Sequence, residues 1–105
     1  MIGYILKLVR VANNNMSATT AAKMLGVSST FICEIEKGNK KPSITTLKKI
    51  SSIYNIPLSE ILLFDELQEQ NGLNYQQTLK MILEYYIFKQ NDINDMHKEN
   101  YKKSL

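Results

Sequence analysis

Residues 17–43, SATTAAKMLGVSSTFICEIEKGNKKPS, decide how this chain folds. Ser17 suits a helix N-cap, and Ala18–Leu25 behind it has apolar residues at helical spacing. Gly26 suits the left-handed residue that ends a helix, and Ser28 can cap the next one, Ser29–Glu36. Lys37-Gly38 ends that segment and opens a basic loop, Gly38-Asn39-Lys40-Lys41-Pro42, leading to another cap at Ser43. The stretch therefore predicts two short helices joined by the tight turn Leu25-Gly26-Val27-Ser28. Such a pair is a helix-turn-helix, which presents its second helix to a DNA major groove.

The flanks extend a helical pattern in both directions. Ile2 to about Ala12 reads as the first helix, with Ile2, Ile5, Leu6, Leu8 and Val9 as its apolar stripe. Asn13-Asn14-Asn15 is a polar break that accepts turn conformations. A fourth helix is expected near Ile44–Tyr54, with Ile44, Leu47, Ile50 and Tyr54 in line and Ile53 beside them. A fifth starts after Pro57, with Ser59 as cap, and runs to about Gln70 before the stop signal Asn71-Gly72. Asn74 and Gln77 resemble a capping box and open a sixth helix to about Lys89.

That sixth segment has more apolar surface than one packed face needs. Tyr75, Leu79, Ile82, Leu83 and Tyr86 make one face; Met81, Tyr85 and Phe88 make another, expected to stand exposed in a single chain and to form a dimer interface. Residues 91–105 are thinly apolar and read as a weak or frayed helix. The expected fold is all-α. A five-helix DNA-binding domain over residues 1–70 is followed by a helical dimerisation or interaction segment of one or two helices over residues 71–105.

Composition narrows the partners. At 105 residues the chain is one domain with an appendage. One cysteine excludes an internal disulfide and fits a reducing cytosol, the N-terminus lacks a secretory pattern, and no apolar run is long enough to span a bilayer. A cytoplasmic location is expected. The net charge of +3 hides an asymmetry: residues 1–58 carry eight cations and two anions, residues 59–105 five cations and eight anions. A basic front suits polyphosphate on one side and protein on the other, although ordinary solvated charge gives the same pattern.

Residues 2–65 resemble the lambda-repressor-like, or XRE, family of helix-turn-helix transcriptional regulators. The resemblance is carried by Arg10, Ala22, Leu25-Gly26-Val27-Ser28, Ile32, Ile35-Glu36-Lys37-Gly38, Pro42-Ser43, Leu47, Ile50 and Ile56-Pro57-Leu58-Ser59-Glu60-Ile61-Leu62. It implies base contacts from Ser29, Thr30 and Glu34 near the start of the recognition helix, where Glu34 can accept from a cytosine amino group. It also implies an ion pair between Arg10 and Glu36 that sets the angle of that helix. The expected backbone contacts are Ser17, Thr19, Thr20, Ser28, Lys37, Asn39, Lys40, Lys41 and Ser43. Two departures stand out. Ala18 occupies a position that often holds a DNA-contacting Gln, and the Asn13–Asn15 segment has one residue more than the usual pattern, which either lengthens the loop or extends the first helix.

Other chemistry has little support. Cys33 reads as a small packing residue, and His97 stands alone without a second ligand at metal spacing, so neither metal nor cofactor is expected. No nucleophile–base set or Gly-rich phosphate loop suggests an enzyme. The expected function is a sequence-specific regulator, a repressor, bound as a homodimer to an inverted repeat. The alternative is an antitoxin that represses its own operon and holds a toxin with its C-terminal segment. An antirepressor is a further candidate partner, and an interaction module without DNA binding is the rival suggested by Ala18 and Glu34.

Overall fold

The computed structural model describes residues 1–103, with side chains as far as Lys89. Six helices follow one another, α1 (Ile2–Ala12), α2 (Ala18–Leu25), α3 (Ser29–Glu36), α4 (Ile44–Ile53), α5 (Leu58–Asn71) and α6 (Tyr75–Lys103), and no strand occurs among the described residues. The all-α expectation is met.

α1 occupies the centre because it is apolar around most of its circumference. Ile5, Leu6, Leu8 and Val9 are all buried, and α3, α5 and α6 pack on different sides of them. Ala21, Ile35, Leu47, Ile50, Tyr54, Ile56, Ile61, Phe64 and Ile82 complete one core drawn from every helix. The approach of α1 to α3 depends on Gly3. A Cβ there would collide with the Ile35 carbonyl oxygen, so glycine is what lets α1 lie against the end of α3.

Three details differ from expectation. Ser59 does not cap α5. The helix starts at Leu58 with Pro57 as its N-cap, and the Pro57 carbonyl accepts from Glu60 and Ile61. Pro57 at φ −60° and ψ 143° is already set for the turn into a helix, which leaves Ser59 inside the first turn. Ile44, placed in the α4 stripe by periodicity, is exposed, since α4's first turn overhangs the packed part that starts at Leu47. α6 is one helix through Lys103, not a helix that stops near Lys89.

α6 also divides its apolar residues differently. Thr78 and Ile82 are fully buried, so the first half of α6 is a layer of the same core as residues 2–64. Met81 and Tyr85, expected on an exposed face, are half-buried against that core, with Tyr85 edge-on to Phe64 at 5.8 Å and to Tyr86 at 5.6 Å. Tyr75 and Leu83, expected to cover the domain, stand exposed. The cause is α5, which lies beside α6 and claims its Tyr85 side. Phe88 (62% exposed) and Ile87 (57%) remain in solvent. The side chains of residues 91–105, including His97, lie outside the described residues.

Candidate nucleic-acid interface

Three serine caps build the face around α2 and α3. Ser17 accepts from the Thr20 N–H at 3.0 Å and donates its own proton to Thr20 Oγ1 at 2.9 Å. The Thr20 proton is thereby left for an outside acceptor such as a phosphate oxygen. Ser43 and Thr46 repeat the arrangement at the start of α4, at 3.1 and 3.0 Å. Ser28 accepts from the Phe31 N–H at 3.1 Å and fixes the first turn of α3. The turn between α2 and α3 closes through Gly26 at φ 77°, where the Val27 N–H reaches back to the Ala22 carbonyl at 3.0 Å.

Ser29 and Thr30 stand exposed on the first turn of α3, and Glu34 is half-buried one turn later. Thr30 and Glu34 are four residues apart and so share a helix face. Among the described residues the Glu34 carboxylate has neither a hydrogen bond nor an ion pair, which leaves it available as an acceptor. The Glu34 backbone carbonyl accepts from Asn39 at 2.9 Å and Lys40 at 3.2 Å, folding the basic loop back onto the end of α3. Lys40 Nζ lies 5.5 Å from the Phe31 ring centre, a cation–π contact that holds the charge beside α3. Lys37, Asn39, Lys40, Lys41 and Thr19 are exposed. Ala18 is half-buried, and its methyl offers no hydrogen bond.

Beneath this face, Arg10 clasps the end of α3. Its Nε donates to Glu36 Oε2 at 2.8 Å and its Nη2 to Oε1 at 3.0 Å, with both residues 9% exposed. Nη1 donates to the Met16 carbonyl at 2.7 Å, so the same guanidinium also anchors the Asn13–Asn15 loop. In that loop Asn14 and Asn15 are both left-handed, at φ 56° and 54°. Helix α1 stops at Ala12, so the additional residue lengthens the loop and leaves the helix unchanged. The hydrogen bond to Glu36 raises the Arg10 pKa against the opposing effect of burial.

Sequence reasoning missed three contributors here. Tyr54 was read only as part of a stripe, but it is buried within electrostatic reach of the pair. Burial first, and then the Glu36 charge, push its hydroxyl up to about 12. Gly3 has no sequence signature, because the collision it avoids is with a residue 32 positions away. Thr46 had one: it follows Ser43 by three residues, as Thr20 follows Ser17. Cys33 is half-buried and lines an α1–α3 cleft with Tyr4, Lys7, Arg10, Glu36 and Lys37.

The family model for a helix-turn-helix matches residues 6–61, which hold this face and the helices beneath it. The chain belongs to the helix-turn-helix family of DNA-binding regulator domains. Among curated proteins, the chain is similar to an HTH-type transcriptional regulator of Archaeoglobus fulgidus, 36% identical over 52% of this chain and 78% of that protein. It is also similar to the ImmF control region 10 kDa protein of Bacillus phage phi105, 37% identical over 55% of this chain and 66% of the phage protein. No solved structure matches the chain. No helix among the described residues is long and apolar enough to cross a membrane.

Proposed function

We propose that the protein is a transcriptional repressor that binds an inverted-repeat operator as a homodimer. The observation that carries this reading is the exposed α3 start. Ser29 and Thr30 stand on it, the Glu34 carboxylate follows one turn later without a partner among the described residues, and a lysine loop folds against the other end of α3. α3 enters the major groove, where Ser29, Thr30 and Glu34 read base edges. Ser17, Thr19, Thr20, Ser28, Ser43 and the Lys37–Lys41 loop hold the phosphates on either side. Repression follows from occupying promoter DNA, and the similarity to a phage control-region protein supports a regulatory role.

A two-fold dimer sets its recognition helices about 34 Å apart, one DNA turn. Ile87 and Phe88 on α6 are the exposed apolar residues through which the copies meet. Selecting bound sequences from random duplexes tests the whole reading. A symmetric site is expected, bound with an affinity that falls steeply as salt rises. Absence of binding in dilute buffer, or binding indifferent to salt, overturns it. Sedimentation as a monomer at micromolar concentration moves the α6 contact to a different protein, such as a toxin or an antirepressor.

A further inference from the structure

The family match ends at residue 61, yet α6, well beyond it, reaches back to the corner after α4. Tyr86 donates its hydroxyl proton to the Tyr54 carbonyl at 2.7 Å. Three residues on, Lys89 Nζ donates to the Asn55 carbonyl at 3.0 Å, with the Asn55 side-chain oxygen at 3.4 Å. Tyr54 is the C-cap of α4, and Asn55 is left-handed at φ 54°. Carbonyls at a helix end have no partner within the helix, so this corner depends on donors from elsewhere. α6 supplies two of them.

The corner matters because of the side chain it carries. Tyr54 is 2% exposed and lies within electrostatic reach of the Arg10 and Glu36 charges that join α1 to the last residue of α3. Tyr54 shares the core with Ile35, the neighbour of Glu36 on α3, so the corner and the end of α3 are packed into one cluster. We propose that Tyr86 and Lys89 are positioning residues for DNA recognition, fixing the Tyr54–Asn55 corner so that Tyr54 seats the Arg10–Glu36 pair and sets the tilt of α3. The proposal rests on the reading of α3 as the base-reading helix. It makes α6 part of the recognition apparatus, whether or not α6 also joins two copies.

Tyr86→Phe and Lys89→Met each remove one bond with little change in shape. Both are prepared in the full chain and compared at a temperature where each is wholly folded by circular dichroism. Affinity for the selected operator should drop about 3–10-fold, the worth of one hydrogen bond, while affinity for random duplex stays unchanged. A general loss of structure would lower both. Tyr86→Phe is also combined with Glu36→Gln. With the pair already broken, the added loss should shrink to less than about twofold, since contacts in one network do not add. Equal losses in both backgrounds, or an unchanged ratio of operator to random affinity, overturn the proposal.

Amide exchange in the free protein needs no DNA and separates this proposal from the functional reading. Amides of residues 33–40 should exchange about 3–10-fold faster in Tyr86→Phe, with α2 unchanged. If the unmodified chain fails to bind any duplex, the functional reading falls, and the exchange result alone decides the link from α6 to α3. Unchanged exchange in residues 33–40 overturns that link.

Discussion

Arg10 donates three hydrogen bonds, two to Glu36 and one to the Met16 carbonyl. Removing either charge leaves the other buried and unpaired. Arg10→Met or Glu36→Gln should therefore cost about 3–5 kcal/mol, where an exposed lysine change such as Lys23→Ala costs about 0–1. Urea midpoints check this, and equal shifts for Glu36→Gln and Lys23→Ala would show that the pair contributes nothing special. Tyr54 adds a pH dependence. Burial raises its hydroxyl from 10.0 to about 12, so the folded state favours the neutral phenol. The stability this represents is complete below pH about 10 and is lost as pH rises through about 12. Tyr54→Phe should flatten that part of the alkaline unfolding curve followed by circular dichroism. An identical curve would show that the hydroxyl is no more buried than in the unfolded chain.

At the scale of elements, caps and the basic loop separate stability from binding. Ser28→Ala removes the bond to the Phe31 N–H and should cost about 1 kcal/mol of stability, read from thermal denaturation. Lys37→Ala and Lys41→Ala should leave stability alone and each lower the log–log salt slope of DNA binding by about 1, for all sequences alike. Glu34→Gln should instead change preference at one symmetric operator position by about 1–3 kcal/mol. A scan of every single-base operator change distinguishes the two kinds of effect. The bounds of α2 and the start of α3 follow directly from local chemistry: Ser17 and Ser28 cap, and Gly26 stops. Ser59 misled because a serine before an apolar run is also compatible with a proline cap two residues earlier.

Across the whole molecule, α6 has two parts with different consequences. Thr78, Ile82 and Tyr86 belong to the core or its rim, so truncation after Asn71 should strip apolar cover from α1 and destabilise the domain. Truncation after Lys89 keeps that layer and should remain folded. Ile87→Glu with Phe88→Glu should leave the melting temperature nearly unchanged while converting a sedimenting dimer to a monomer. Tyr85→Glu is a poorer probe, because Tyr85 packs on Phe64 within its own chain. A double variant that still sediments as a dimer would place the contact elsewhere on the surface.

The sequence by itself determined the bounds of α2, the turn after it and which residues stand around α3. Each of these depends on chemistry within three or four positions, such as a serine oxygen reaching the N–H three residues on. The resemblance to regulators added the pairing of Arg10 with Glu36. Only the tertiary structure decided the need for glycine at position 3, the burial of Tyr54 beside the ion pair, and the grip of Tyr86 and Lys89 on the α4 corner. It also turned Met81 and Tyr85 inward and left Ile87 and Phe88 outside. Periodicity shows that a helix has two apolar faces. Which face is covered depends on where a distant helix lies, and in this chain that helix is α5.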